Sequence, residues 1–509
     1  MDCKLVNEKV LVNECLFEGS TEQPIDIDIS LPDYCADIGK ILKCRAVPRV
    51  TERLVKPDSL NIAGMTRLAI LYADGRSGEV NCYEHEIPFA ASIPLTDAPH
   101  DAKASVCVRM EYVNCRALSQ RKLDIHGAFS IKAKVTCKRE ASLASDVEGD
   151  GIRLRKKMCK AGNLVSDTQS SFIISEALEV AKDKASIGSI IRNDAVLSVN
   201  EQKIIGGKLV IKGDAILTIV YIGEAGEGIE KMEYLMPYNQ FIDVDGIEDD
   251  CKCDIKLECE NIDIGLRTDP DGEYRRMNAD IKAFVEAKVY TELETPFVYD
   301  AYSVDYETEV ERKQLNIEQL SDTVSENIMH QQLLDTGVDI ASVLDIWGDT
   351  RDCKVGRKDD KLTLWAAVSV GMILKNSEGG ISYIEKLCEL EQDIGVLDTS
   401  KQFYADAQLV VRNCNYTLSG SNGVDVRLQM QLNAAIYEQQ NISSVGAITL
   451  DENKPKNLSD AAVVLYFAHA GEELWDIARK HNSSIETIMA DNELASEQLD
   501  DSRMLLIAI

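Results

Sequence analysis

The segment Glu84-His85-Glu86 is the feature of this sequence that comes closest to a metal or acid–base site. The segment around it alternates in the manner of a strand, on which such residues usually face solvent. In the two related segments described below, Tyr234 and Leu387 stand in place of the histidine. A catalytic role for His85 is therefore disfavoured, although the sequence does not assign it another role.

Other residues capable of metal binding or nucleophilic chemistry are dispersed along the chain. Its six histidines and fifteen cysteines form no zinc pattern, and Cys251-Lys252-Cys253 is the closest cysteine pair. The acidic pairs Asp249-Asp250 and Asp359-Asp360 lie in turn-like stretches. No nucleophile elbow, His-Glu-x-x-His motif or phosphate-binding loop occurs. The sequence thus predicts a protein that is not an enzyme and that needs neither a metal nor a cofactor.

Composition narrows the class of partner and the compartment. The 55 basic and 86 acidic residues give a net charge of −31, which disfavours nucleic acid as a partner. The cysteines are scattered, as expected in a reducing compartment, and most are predicted to be small buried strand residues such as Cys107. The N-terminus shows no signal peptide, and no segment has the ~20 apolar residues that span a bilayer. These features predict a cytosolic protein.

A short apolar pattern occurs three times and marks an internal repeat. Ile38-Gly39-Lys40-Ile41-Leu42 recurs after 149 residues as Ile187-Gly188-Ser189-Ile190-Ile191, and after a further 153 as Ile340-Ala341-Ser342-Val343-Leu344. The apolar spacing in each copy is that of one face of a short helix. Alternating strand segments beginning at Leu60, Leu209 and Leu362 follow at the same two offsets.

These repeats predict a mainly β protein with short helices (α+β), built from whole domains duplicated in tandem. The predicted units are residues 1–145, 165–295 and 296–440, the third being the most diverged. The basic run Arg153–Lys160 is predicted to be a solvated loop between the first two units. A polar linker over residues 441–461 is expected to lead to a last module at residues 462–509.

The last module has a different pattern, predicted to be strand, helix, helix and strand. Val463–Phe467 and Arg503–Ile507 read as strands, and Leu474–Ala478 reads as the first helix. Ser483 and Glu486 have the spacing of a capping box at the start of the second helix.

This module resembles the LysM family, in which small βααβ domains recognise a partner rather than catalyse a reaction. The residues that carry the resemblance are Tyr466, Ala470-Gly471-Glu472, Leu474-Trp475, Ile477-Ala478, Ile485, Met489, Asn492 and Leu494. The resemblance implies that partner-binding residues lie where each strand meets its adjoining helix. Those residues are Gly471, Glu472, Trp475, Asn492, Asp500 and Asp501.

Two departures from the LysM pattern bear on the ligand. Ala470 stands where proline is common, and the turn Asp500-Asp501-Ser502-Arg503 replaces a Pro-Gly-Gln-like turn. With Glu472 nearby, the expected groove is acidic. Such a groove favours a protein partner with a basic surface over a glycan.

The repeated units resemble the SPOCS domain of spore coat proteins, through Ile38–Leu42 and Tyr83-Glu84-His85-Glu86-Ile87-Pro88-Phe89. Three such units followed by one LysM module are similar to the SipL-type spore coat morphogenetic proteins of endospore-forming Firmicutes. The resemblance implies a scaffold in the mother-cell cytoplasm at the forespore surface and in the spore coat. Its implied partners are the basement-layer coat ATPase, bound through the LysM module, and other coat proteins. The alternative is a peptidoglycan-binding protein acting at the spore cortex or cell wall.

Overall fold

The computed structural model describes residues 2–224, 228–244, 251–396, 402–456 and 463–508. Most of this part of the chain is extended, and its two helices both lie in the last module. The expected pair Asp249-Asp250 and the end of the expected linker, residues 457–461, lie outside the described residues.

Six strands occur in the same succession three times. Repeat 1 has β1 (Lys4–Ser30), β2 (Ile38–Val55), β3 (Ser59–Asp74), β4 (Val80–Pro94), β5 (Lys103–Ser119) and β6 (Lys122–Glu148). Repeat 2 has β7 (Ile152–Glu179), β8 (Ile187–Ile205), β9 (Lys208–Gly223), β10 (Ile229–Asp243), β11 (Lys252–Thr268) and β12 (Tyr274–Ser303). Repeat 3 has β13 (Tyr306–Asp335), β14 (Ser342–Lys358), β15 (Lys361–Lys375), β16 (Ile381–Val396), β17 (Gln402–Ser419) and β18 (Gly423–Pro455). The predicted architecture of three tandem β-rich units is confirmed.

Each repeat consists of two three-stranded antiparallel sheets. In repeat 1 the sheet orders are β1-β6-β5 and β2-β3-β4, and the other repeats follow the same two orders. Alternate residues of the central strand β3 are buried, including Leu60, Ile62 and Leu68. They pack with Ile25 of β1 and Ile125 of β6, so that the two sheets enclose one hydrophobic core.

The strand correspondence predicted from the repeats is confirmed by the pairing register. Leu60 lies opposite Ile93, and Leu209 lies opposite Ile242 in the second repeat. In the third repeat, Leu362 lies opposite Gly395. The partner is 33 residues further along the chain in every case.

The short helices predicted at the start of each repeat are wrong, because these segments enter strands β2, β8 and β14. In β2 the pairing register shifts between Ile38 and Lys40, and again between Ile41 and Lys43. Such bulges interrupt the two-residue alternation. Ile38 and Ile41, which are three residues apart, therefore pack on the same core, and this spacing imitates a helical face.

An aromatic ring on the fourth strand covers a glycine on the third. Phe89 lies opposite Gly64, and Tyr238 lies opposite Gly213. A Cβ added at Gly64 would come within 2.4 Å of the Phe89 ring. The first two repeats have a proline before this aromatic residue, as Pro88-Phe89 and Pro237-Tyr238. Repeat 3 lacks such a pair, and there Leu390 lies opposite Ala366. The smaller side chain on one strand is thus matched by a larger one on its neighbour.

The first and last strands of each repeat continue as a two-stranded ribbon, and the three ribbons pack together. One buried cluster draws Val10 and Leu143 from repeat 1, Ala161 from repeat 2, and Ile317 and Ile442 from repeat 3. The other sheets also meet in a ring, since β4 contacts β8, β10 contacts β14 and β16 contacts β2. The three repeats therefore share buried surfaces and form one body.

Several boundaries differ from those expected. The expected break between residues 295 and 296 lies inside β12, and residues 441–455 of the expected linker belong to β18. The basic run Arg153–Lys160 is part of β7 rather than a loop. Cys107 lies on a strand but is exposed, because the alternation buries Val106 instead. Six of the fifteen cysteines are buried, so burial of most of them was wrong.

Candidate partner-binding site

The last module has the βααβ order predicted from the sequence. It comprises β19 (Val463–Ala468), α1 (Leu474–Lys480), α2 (Ile485–Asp491) and β20 (Arg503–Ala508). The two strands are antiparallel, and both helices pack on one face of this small sheet. Its core is formed by Ala468, Leu474, Ile477, Ile488, Leu505 and Ile507.

The second helix begins one residue later than the expected capping box. Ser484 is the N-cap, and its hydroxyl accepts a 3.1 Å hydrogen bond from the Thr487 backbone N–H. Ser483 instead donates its hydroxyl to the Ala508 carbonyl oxygen at 3.0 Å. The capping-box assignment of Ser483 and Glu486 was therefore wrong.

Three of the predicted binding residues lie at one end of the module. Gly471 has a φ of +88°, which favours glycine, and its N–H donates to the Leu499 carbonyl at 2.9 Å. This bond brings the β19–α1 turn against the loop that carries Asp500 and Asp501. Both of these aspartates are exposed. Asp500 and Asp501 therefore form an exposed acidic edge beside Gly471.

Two further predicted residues hold the module together. A carboxylate oxygen of Glu472 accepts hydrogen bonds from the Tyr466 hydroxyl at 3.3 Å and from the His469 N–H at 3.2 Å. The Asn492 side chain accepts from the Leu506 N–H at 2.7 Å and donates to the Leu506 carbonyl at 2.6 Å. Glu472 thus fixes the first turn, and Asn492 ties the end of α2 to β20.

Trp475 is buried against repeat 2, whereas Asp500 and Asp501 are exposed. It is 4% exposed, and its indole N–H donates a 2.8 Å hydrogen bond to Asp300 of β12. The ring also packs edge-on against Tyr302, with 4.8 Å between the centroids. Although Trp475 was among the expected partner-binding residues, it faces repeat 2 in this structure.

Sequence reasoning missed the residues of repeat 2 that contact the module. Asp300 also binds Arg479 of α1. Arg155 of β7 pairs with Glu473 and lies 3.9 Å from a carboxylate oxygen of Glu497, so it reaches both loops at the acidic end. The basic run is evident in the sequence, but nothing local indicates which distant residues Arg155 contacts.

The outer face of the β19–β20 sheet was also missed. Both helices cover its other face, and the side chains pointing outward are apolar and exposed. They are Val463, Leu465, Phe467, Met504 and Leu506. A usable signal was present, because both strands are apolar at consecutive positions, whereas a strand with one wet face alternates with polar residues.

The Glu84-His85-Glu86 segment forms no site. His85 lies on the face of β4 that carries Tyr83, whereas the two glutamates point away from it and are exposed. The register places Lys386, not Leu387, at the equivalent position, since Lys386 lies opposite Val370 as His85 lies opposite Leu68.

Within the described ranges, no group of three or more His, Cys, Asp or Glu side chains is arranged to hold a metal ion. Among these residues, no helix is both long enough and apolar enough to cross a membrane.

Comparison with known families agrees with the geometry. Residues 37–118 and 186–267 match the family model described as SipL, SPOCS domain, and residues 470–500 match the LysM domain. Each SPOCS match runs from the start of the second strand into the fifth, leaving out the long ribbon strands. The third repeat has the same strand order, although neither match falls on it. No curated protein and no solved structure matches the chain.

SPOCS and LysM domains are non-catalytic binding domains, and their combination indicates a sporulation-related role in binding cell wall or protein. Two SPOCS matches followed by a C-terminal LysM match are the domain combination that describes the SipL-type proteins.

Proposed function

We propose that this protein is a non-enzymatic scaffold for spore coat assembly, which docks through its LysM domain on the basement-layer coat ATPase around the forespore. The domain combination supports the sporulation role. The observation that carries the choice of a protein partner is the exposed apolar face of the LysM sheet. The mother-cell location and the recruitment of other coat proteins by the repeats belong to the same proposal.

The apolar face is contiguous across both strands. Leu465 lies opposite Leu506, and Phe467 lies opposite Met504. Leu465 is 68% exposed and Phe467 is 52% exposed. Clustered exposed apolar side chains mark interaction surfaces, whereas scattered single ones are ordinary. Burying this face against a partner would remove it from water, which is the main favourable term in protein association.

The charged residues at the end of the module add to this preference. Asp500 and Asp501 are exposed, on a chain with a net charge of −31. A partner with an apolar centre and a basic rim would complement both features. The predicted binding residues Gly471, Glu472, Asn492, Asp500 and Asp501 belong to this proposal as the edge or support of the surface. Trp475 is not part of this surface, because repeat 2 covers it.

A binding titration on immobilised coat ATPase tests the proposal. We expect Leu465→Glu to weaken binding by at least about tenfold, or about 1.4 kcal/mol, because it places a charge in the centre of the apolar face. Leu387→Glu is the matched control, because Leu387 is 52% exposed on β16 of repeat 3. Unchanged binding of Leu465→Glu, or an equal loss in the control, would exclude the sheet face as the docking surface. Undiminished binding by a chain lacking residues 461–509 would exclude the LysM domain altogether.

Peptidoglycan binding is the second candidate, favoured by the LysM match at residues 470–500, which spans both loops at the acidic end. In this structure Arg155 of the same chain pairs with Glu473 of the first loop and approaches Glu497 of the second. That contact and the acidic side chains disfavour a sugar chain as the ligand. Sedimentation with purified peptidoglycan distinguishes the candidates, since a glycan-binding protein would enter the pellet.

A further inference from the structure

We propose that the ribbon of repeat 2 carries a docking surface for helix α1 of the LysM domain, which keeps Trp475 covered from outside partners. We call this surface the LysM dock and define it as Arg155, Tyr299, Asp300 and Tyr302. The inference does not depend on which partner the LysM domain binds.

Asp300 is the centre of the LysM dock. One carboxylate oxygen accepts from the Trp475 indole N–H at 2.8 Å and from Arg479. The other accepts from Arg312 at 3.2 Å and from the Ala301 N–H at 3.0 Å. Both oxygens are therefore occupied, and the side chain is 13% exposed. Hydrogen bonds to a poorly solvated carboxylate are strong, and removing a donor leaves charge without compensation.

Tyr302 packs edge-on against Trp475, the aromatic side chain that α1 presents to repeat 2. It is 2% exposed and belongs to the same buried cluster as Leu474 and Leu505 of the LysM core. Its hydroxyl donates to the Ser483 carbonyl at 2.8 Å, just before α2 begins. Repeat 2 thus contributes a side chain to the interior of the LysM domain. An edge-on aromatic pair adds stabilisation beyond simple burial.

Two arginine guanidinium groups also lie near the Trp475 ring. The Arg479 guanidinium lies 5.5 Å from the Trp475 ring centroid, and that of Arg155 lies 5.9 Å from it. Arg155 also lies 5.4 Å from the ring of Tyr299. These distances are within cation–π range, and Arg155 adds ion pairing to Glu473. Because that pair is partly exposed, it contributes mainly to orientation.

The covalent connection favours the docked state. Lys456 donates its backbone N–H to the Asp305 carbonyl and its amino group to the Ser303 carbonyl, both at 2.8 Å. Six residues, 457–462, separate it from Val463. A connection of this length spans at most about 25 Å, so it holds α1 near the LysM dock at an effective concentration on the order of millimolar. At this effective concentration, even a contact of low intrinsic affinity keeps α1 docked for most of the time.

The docked state has a consequence for binding. A ligand that needs Trp475 must first displace the LysM dock, so its apparent affinity falls in proportion to the undocked fraction. A ligand that uses the outer face of β19–β20 meets no such competition, since that face is already exposed. The LysM dock therefore selects which face of the LysM domain is available.

Hydroxyl-radical footprinting of the full chain, read by mass spectrometry at Trp475, tests the inference. We expect Asp300→Ala to raise the oxidation rate of Trp475 at least threefold, because it removes the acceptor for both the indole and Arg479. The matched control is Asp280→Ala, an exposed aspartate on the same strand β12. Equal Trp475 rates in the parent chain, Asp300→Ala and the control would overturn the inference.

Loss of folding is distinguished within the same experiment. Trp347 and Trp365 lie in repeat 3, and their rates stay constant if the body remains folded. If Asp300→Ala raises all three rates, Arg155→Ala decides, since its side chain lies at the edge of the contact. A rise at Trp475 alone in that variant supports the LysM dock, and no rise overturns it.

Discussion

Arg45 of repeat 1 donates a 2.7 Å hydrogen bond to Asp194 of repeat 2. The same guanidinium reaches Asp349 of repeat 3 at 3.2 Å. Beside it, Arg192 binds both carboxylate oxygens of Asp345 at 2.8 Å. One charged network thus crosses all three repeats, and we infer that the repeats are stabilised as a unit rather than singly.

Removing the charge of Asp194 is expected to destabilise the whole body. Asp194→Asn leaves Arg45 and Arg192 with less compensation in a site where each is mostly buried. We expect a loss of about 2 kcal/mol, below the value for a fully buried pair because water still reaches the network. Urea unfolding followed by circular dichroism measures it. Asp243→Asn is the control, since Asp243 pairs with Lys208 on an open surface, and an equal loss there would contradict the network's role.

The same aspartate predicts a pH dependence. Burial alone would raise the pKa of Asp194, but Arg45 and Arg192 outweigh it and lower the pKa to about 2. Because the folded pKa is below the unfolded value of about 4, the stabilisation is complete above pH 4 and is lost as the pH falls towards 2. The expected loss is on the order of 2 kcal/mol. Stability measured from pH 5 to 2 is expected to fall less steeply in Asp194→Asn, and parallel curves would contradict this assignment.

The fold was predictable where the same apolar segments recur at a regular spacing. Leu60, Leu209 and Leu362 are each the second residue of a central strand, so their spacing identified three related sheets. Prediction failed at Ile38 and Ile41, where a bulge lets residues three apart pack on the same core. Alternation within one segment contains no information about register shifts imposed by a partner strand.

The candidate site was predictable only in part, for a related reason. The turn at Gly471 and the acidic pair Asp500-Asp501 are local features, and the structure places them together. The environment of Trp475 depends on Asp300, which is 175 residues away in sequence. A buried indole and an exposed one have the same local sequence, so only the fold distinguishes them.

The observed helix cap can be tested against the expected capping box. Ser484→Ala removes the acceptor for the Thr487 N–H and is expected to destabilise α2 by about 1 kcal/mol. Amide hydrogen exchange of residues 487–491 measures this as roughly fivefold faster opening. Glu486→Ala is expected to change exchange much less, because Glu486 is not part of the observed cap. Faster exchange in the Glu486 variant, but not in Ser484→Ala, would instead support the capping box.

The glycine beneath Tyr238 provides a test of sheet packing. A Cβ at Gly213 would lie 1.9 Å from the Ser198 carbonyl oxygen and 2.4 Å from the Tyr238 hydroxyl. Gly213→Ala must therefore displace strand β8, and overpacking of this kind costs about 2–3 kcal/mol. Gly265→Ala is the matched control, since its Cβ would meet nothing closer than 4.0 Å and the change is expected to be neutral or slightly stabilising.

Thermal unfolding of the two glycine variants measures the difference. Adding Tyr238→Phe to Gly213→Ala is expected to give little recovery, because the closer obstacle is the backbone oxygen of Ser198 rather than the hydroxyl. Tyr238→Phe also removes the 2.9 Å hydrogen bond from that hydroxyl to the same Ser198 oxygen. Full recovery in the double variant would mean that the Tyr238 hydroxyl, and not the neighbouring strand, requires glycine at position 213.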